Sequence, residues 1–353
     1  MSDLLFAFVP GFYAEAERVR DVSLRDRPVI VGGDPRKRGL VQSATADALS
    51  AGVLVGMEVL VALGHCPVAR AVPTDMKHYR DVSGRLRALL QDGEGAVEPL
   101  GLDSAFIEPS PGVRTAGGVE GWATQLRDRV REELGLPLKV GIAQVKFLAR
   151  IAAEDAGTDG ILHIGSGEES TYLHPLLVSR LPGVGPRTVA TLAEHGVVHV
   201  ADLLALDVSQ LEEALGNHGL RILGFAKGRD ESVLRARRSR KSLSREFTFS
   251  DPEVDRGAID ECLQRLAQEA IAALQQEGLV GRRISVRAGY EGGEWNTRTR
   301  TLGRAPTSVS EIYAVSVALL ELTQVGTRPV RRLGLSISEL APQSERDRQL
   351  ELF

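Results

Sequence analysis

At 353 residues the chain is longer than one ordinary hydrophobic core supports, so several domains of moderate size are expected. A net charge of −4 gives no global attraction to nucleic acid, and Cys66 and Cys262 stand too far apart for a short-range metal site or a disulfide framework, which suits a reducing cytosol. No apolar run is long enough to cross a bilayer and the first residues lack the order of a signal peptide, so a soluble, intracellular protein without a membrane partner is expected.

Residues 4–9 form an almost wholly apolar run, and residues 28–31 lead through the turn 32–39, rich in glycine and basic residues, into Leu40 and Val41. This reads as buried strand, helix, strand, basic turn and strand, a mixed α/β start. Helical periodicity fits residues 75–90 and 120–134, with a hairpin-like segment at 97–107 between them. Residues 138–143 read as a further strand leading into a helix at 145–154.

The segment Leu181-Pro182-Gly183-Val184-Gly185-Pro186-Arg187-Thr188 breaks two helical stretches with a tight glycine turn, and a second hairpin follows through Gly196, Asp202 and Gly216. Two helices joined in this way aim backbone N–H groups and a helix N-terminus at one spot, which suits a phosphate without reading a base. A lone G-x-G is also a simple tight connection; the leading Leu-Pro and the following Arg187-Thr188 favour a helix-hairpin-helix.

Arg235, Arg237, Arg238, Arg240, Lys241 and Arg245 then form a basic stretch without an acidic residue, either a solvated linker or a DNA contact. Beyond it the pattern is strand 243–249, helix 255–276, strand 283–290, strand 295–302, helix 308–323 and strand 330–340, a split βαβ sheet with both helices on one face. Arg298 and Arg300 share a strand face, as do Arg283 and Arg287; with helices on the other face, all four would line an open basic sheet. A merely solvated face is the equal alternative.

Several separated motifs, in order, resemble one family along nearly the whole chain: the Y-family DNA polymerases of the DinB type. They are Phe12-Tyr13-Ala14, the run from Pro28 to Pro35, Cys66-Pro67, the run from Tyr79 to Ser83, the run from Glu98 to Asp103, Val140-Gly141-Ile142-Ala143 with Lys146 and the run from Leu148 to Ala152, and the hairpin. The resemblance implies a multidomain α+β right hand. Its parts would be a mixed α/β palm (1–30 and 76–165), small fingers (31–75) and a helical thumb with the helix-hairpin-helix (166–234). A basic linker (235–242), a β-α-β-β-α-β little finger (243–341) and a flexible tail (342–353) would follow.

Polymerisation in such a family resembles other two-metal phosphoryl transfers, in which carboxylates hold two magnesium ions. The family places an Asp where this chain has Phe8, and an Asp-Glu pair where it has Asp103-Ser104, so only Asp103 matches. Glu98, five residues before Asp103, is expected on the opposite strand face, and Asp3 lies well upstream, so neither substitutes. The family's triphosphate-gripping Tyr and Arg align with Ala46 and Leu49. Tyr13 matches its sugar-discriminating position and Lys146 its triphosphate-binding position. Each also reads structurally, Tyr13 as palm packing and Lys146 as a solvated or DNA-facing lysine, and the structural readings are favoured.

These departures resemble the ImuB-type branch, which implies an adaptor rather than an enzyme, with no metal and no cofactor. The DNA-binding set would be Gly183, Val184, Gly185, Arg187, Thr188, Arg237, Arg238, Arg240, Lys241, Arg245, Arg283, Arg287, Arg298 and Arg300. The terminal Gln349-Leu350-Glu351-Leu352-Phe353 has the form of a β sliding clamp-binding peptide, with Gln349 at the mouth of the cleft and Leu350, Leu352 and Phe353 in apolar subsites. A terminal segment docking on its own domain is the plainer alternative. The resemblance further implies a damage-induced, SOS-type mutagenesis role in a bacterial cytoplasm at the nucleoid. The partners would be sequence-independent primer-template DNA, the clamp and an error-prone replicative-type polymerase subunit. ImuB-type proteins usually continue beyond the clamp motif, which this sequence does not. The alternative function is a low-activity translesion DNA polymerase using Asp103 and a second ligand.

Overall fold

The computed structural model describes residues 3–92, 95–110, 118–235 and 241–343. The chain divides into two compact units, Met1–Arg238 and Ser239–Phe353.

The first unit holds eight strands among its described residues: β1 (Leu4–Phe8), β2 (Val29–Gly32), β3 (Val41–Ala44), β4 (Arg70–Pro73), β5 (Ala96–Leu100), β6 (Ser104–Glu108), β7 (Lys139–Ala143) and β8 (Ile161–His163). Five of them form a sheet in the order β5-β6-β1-β7-β8, and three form a small sheet in the order β3-β2-β4. β1 runs antiparallel to both of its neighbours, β6 and β7. Its apolar run reflects cover on both faces. Leu5 and Ala7 join a core built with the helices Phe12–Arg20, Met76–Gln91 and Gly118–Leu134, while Phe6 packs from the other face into a second core with the helix Lys146–Asp155.

Helix starts follow local chemistry. Asp75 caps the helix Met76–Gln91 by accepting a hydrogen bond from His78 N at 3.2 Å, and Tyr79, Ser83, Leu86 and Leu90 recur on its buried face. Gly11, just before the helix Phe12–Arg20, sits at φ +63° where a Cβ would lie 2.5 Å from the Ala44 carbonyl oxygen, so only glycine lets the turn after β1 pass this close to β3.

The second core extends into the helices Pro186–Glu194, Val200–Ala205, Val208–Leu215 and Asn217–Ala226. The hairpin turn falls where the sequence places it, but only a 3₁₀ turn, Val178–Arg180, leads into it rather than a full helix.

The second unit has the expected β-α-β-β-α-β order: β9 (Ser242–Glu253), helix Arg256–Gln276, β10 (Leu279–Tyr290), β11 (Trp295–Thr301), helix Val309–Leu320 and β12 (Val330–Pro342). The sheet order is β11-β10-β12-β9, all neighbours antiparallel. Ile284, Val286, Leu333, Leu335 and Ile337 bury one face beneath both helices. Several elements extend past their expected ends, β10 by starting at Leu279, because paired backbone there carries no clean alternation in the sequence.

Candidate active site and nucleic-acid-facing surfaces

The register of the five-stranded sheet sets four side chains in one row: Leu100 opposite Ser104, Ser104 opposite Phe8, and Phe8 opposite Lys139. Residues directly opposite one another across antiparallel strands share a face. In the next row Glu98 stands opposite Phe106, and Phe106 opposite Phe6. The Phe6 ring centroid lies 4.8 Å from that of Phe106 and 5.8 Å from that of Phe8.

Ser104 Oγ donates to the Leu100 carbonyl at 2.6 Å and lies 3.1 Å from Asp103 Oδ1, and Val9 N donates to the Asp103 carbonyl at 3.0 Å. Lys139 Nζ donates to the Glu154 carbonyl at 2.7 Å and sits 5.8 Å from the Phe8 ring centroid. Burial holds the Lys139 amine below the ordinary lysine value, against the opposing pull of Asp155 and Glu154. Magnesium takes oxygen ligands. Within this row the one oxygen ligand is the Ser104 hydroxyl, with the Asp103 carboxylate 3.1 Å from it, a sparse oxygen set for a two-magnesium centre.

Glu98 lies on the same sheet face as Ser104 and Phe8, while Asp103 sits in the turn 101–103 between β5 and β6 rather than on a strand. Glu98 Oε2 accepts from Lys146 Nζ at 2.5 Å and from Arg235 N at 2.8 Å. Lys146 is 8% exposed, so it is not a solvated lysine; its ammonium also sits 4.7 Å from the Phe106 ring centroid.

Tyr13 stacks on Tyr79 with ring centroids 4.4 Å apart and planes 10° from parallel. Tyr79 O–H donates at 2.9 Å to the buried Glu17, and burial together with that carboxylate pushes the phenol far above its ordinary value. Ala46 and Leu49 are exposed on the short helix Ala46–Ser50. The nearby Arg18 reaches Asp47 at 2.5 Å.

In the hairpin Leu181 and Val184 are buried anchors, while Gly183, Gly185 and Arg187 are exposed and Thr188 is half-buried. Gly185 is the N-cap of the helix Pro186–Glu194, with Pro186 at its first position. His218 Nε2 bonds the Gly183 carbonyl at 3.1 Å. Sequence reading missed this brace, for a histidine 35 residues away carries no local signal.

The four arginines of β10 and β11 do not share one face. Arg283 and Arg287 stand opposite Thr301 and Thr297 on the open face, whereas Arg300 and Arg298 stand opposite Ile284 and Val286, on the helix-covered side. Arg298 Nε accordingly donates at 2.9 Å to the carbonyl of Leu322, beyond the helix Val309–Leu320. Arg245 also lies on the helix side, opposite Leu335 and 3.9 Å from Glu269. On the open face Arg287 Cζ lies 4.2 Å from the Trp295 ring centroid and Arg332 Cζ 5.9 Å from it; the ring covers Gly289, where a Cβ would come within 3.0 Å of it. The remaining open-face positions include Glu246, opposite Gly334, and several serines and threonines, with Ser285 bonded to Thr299 and Ser244 to Ser336, each at 2.8 Å. Arg283 is paired with Glu339 at 2.7 Å. Lys241 is exposed, and Arg237, Arg238, Arg240 and the tail residues Gln349, Leu350, Leu352 and Phe353 lie outside the described residues.

Residues 7–154 match the model of the impB/mucB/samB family and residues 240–352 that of the impB/mucB/samB family C-terminal domain. A relative from Halorhodospira halophila, named DNA polymerase IV, is 34% identical over 97% of this chain and 96% of its own length; one of the same name from Alkalilimnicola ehrlichii is 35% identical over 97% of each. The chain belongs to the Y-family of DNA polymerases. The fold agrees: a Y-family DNA polymerase chimera, Dbh-Dpo4(243-245)-Dbh, superposes with a TM-score of 0.86 over 96% of this chain and 99% of its own at 24% identity. The insertion ternary complex of Dbh DNA polymerase gives 0.70 at the same identity and the same coverage.

These relatives overturn the expectation that the chain is not an enzyme, since proteins matched along nearly their whole length are named as polymerases. The family is established by the matches; the ImuB-type branch is not. Among the described residues no helix is long and apolar enough to cross a membrane, and no group of three or more metal-capable side chains stands together.

Proposed function

We propose that this Y-family chain is a translesion DNA polymerase of weak catalytic power acting on primer-template DNA. The observation that carries this reading is the full-length match to relatives named DNA polymerase IV. The departures at Phe8, Ser104, Ala46 and Leu49, which suggested the ImuB-type branch, are taken here as the reason for weak synthesis. The division into palm, fingers, thumb and little finger proposed from the sequence supports the same reading.

In this reading the primer-template is held without regard to base sequence. The Gly183–Thr188 hairpin presents backbone N–H groups to a phosphate, and Arg187, Lys241, Arg283 and Arg287 supply positive charge from exposed positions. Tyr13, fixed by its stack on Tyr79, faces the incoming sugar. The terminal Gln349-Leu350-Glu351-Leu352-Phe353 docks on the sliding clamp during damage-induced mutagenesis, and a second, error-prone polymerase subunit is a further partner of the same assembly.

Primer extension on undamaged and lesion-bearing templates, with magnesium and with manganese, tests the proposal. Incorporation that falls to background in Asp103→Ala supports it. A protein that binds the same primer-template and adds no nucleotide sinks it.

A further inference from the structure

Residues 230–235, at the end of the described part of the first unit, form a strap across the start of the helix Lys146–Asp155. Asp230 Oδ2 accepts from Phe147 N at 3.4 Å and its Oδ1 from Ser232 N at 2.9 Å. The Val233 carbonyl accepts from Lys146 Nζ at 3.4 Å, and Arg235 N donates to Glu98 at 2.8 Å. Leu234 packs against the core that also takes Phe8 and Leu100.

The centre of this arrangement is a carboxylate that is 1% exposed. A buried carboxylate is tolerable only when charge and donors meet it. Lys146 supplies the charge; an N–H donor comes from a backbone position 137 residues further along the chain. A backbone donor ties down the path of the chain whatever side chain it carries. The strap is nevertheless shallow, with Val233 69% exposed, which places it among the segments that open before the body of the unit does.

We infer that Glu98 is a positioning residue that anchors the strap and thereby holds the chain to the first unit as far as Arg235. Docked, the strap holds residues 230–235 to the first unit; released, these six residues are no longer tied to it, about 20 Å of added reach at roughly 3.4 Å per residue. The basic side chains of the connector follow directly in sequence, so the anchor sets where that charge is delivered. The anchoring stands on the hydrogen bonds alone; its effect on DNA engagement rests on the function proposed above.

Hydrogen exchange on the full chain tests the inference with two variants that attack opposite ends of the same bond. Glu98→Gln removes the charge and keeps the shape; Arg235→Pro removes the N–H and leaves Glu98 untouched. The expected result is at least ~10-fold faster amide exchange across 230–235 in both, with β6 and the helix Arg256–Gln276 unchanged. Spin labels at Thr124→Cys and Glu261→Cys should then give a longer and broader distance distribution in both variants. Acceleration in neither variant, or in Glu98→Gln alone, overturns the anchor. Neither readout depends on nucleotide addition, so failure of the proposed polymerase activity would leave the anchor standing, and failure of the anchor would leave that activity standing.

Discussion

Phe8 stands directly opposite Ser104 across the β1–β6 pair, so an aromatic ring and a hydroxyl face one another where the family resemblance places carboxylates. Restoring acids at both positions, as Phe8→Asp with Ser104→Glu, should raise primer extension by at least ~10-fold, a modest share of the several kcal/mol that metal ions supply to phosphoryl transfer. Single-turnover incorporation measures it. Equal rates in the double variant and the parent would show that these positions do not limit synthesis.

The split of the arginines between two faces separates binding from stability. Replacing Arg283 and Arg287 by Ala should lower the slope of log affinity against log salt by about two, since each phosphate contact contributes about 0.9. Arg298→Ala should leave that slope unchanged and lower the melting temperature instead, because its guanidinium bonds the Leu322 carbonyl. Fluorescence anisotropy over a salt series, with thermal melts alongside, distinguishes the two.

Tyr79 performs two tasks, carrying the ring on which Tyr13 stacks and donating to Glu17. Tyr79→Phe keeps the stack and takes away the donor, leaving Glu17 with Arg20 at 3.9 Å; it should cost about 1–3 kcal/mol in urea unfolding. Tyr79→Leu loses the stack as well. If the stack fixes Tyr13 against the sugar, only the Leu variant relaxes the preference for deoxynucleotides over ribonucleotides in incorporation assays.

Acid should loosen the second hairpin of the helical region. Asp202 Oδ2 accepts from His199 N at 2.7 Å and Val198 N at 3.0 Å, and these backbone bonds hold its carboxyl below the ordinary 3.8. A carboxylate with a depressed folded-state pKa adds stability above its unfolded value, and that stability is lost as pH falls through the folded one. Melts at decreasing pH below about 4 should therefore converge for the parent and Asp202→Asn, with the parent ahead at neutral pH. A constant gap would show that these bonds do not depend on the charge.

Much of the fold was legible because each strand and helix carries its own period: the apolar run of β1, the capped helix after Asp75 and the second unit's β-α-β-β-α-β order all appear in local pattern. What could not be read was parity across a turn. Glu98 and Ser104 belong to different strands of a hairpin, and Arg287 and Arg298 to another, so which face each shares depends on register rather than on counting along the chain. The Lys146–Glu98 pair and the His218 brace were hidden for a related reason, since their partners meet only after tertiary packing.

Clamp docking by the tail makes a separate forecast. Two apolar side chains such as Leu352 and Phe353 contribute on the order of 3 to 6 kcal/mol on burial, before ordering costs. Deleting both should abolish most of the affinity for the clamp in surface plasmon resonance. Undiminished binding would move the contact elsewhere on the chain.

Trp295 shares its face with Arg287 and Arg332, and the chain has one other tryptophan, Trp122, on the helix Gly118–Leu134 of the first unit. A polyanion that draws either guanidinium away from the indole alters the electrostatic field on that ring. With Trp122→Phe as background, the protein carries its own optical gauge: emission shifts during titration would report occupancy of the open sheet in real time, without an attached dye.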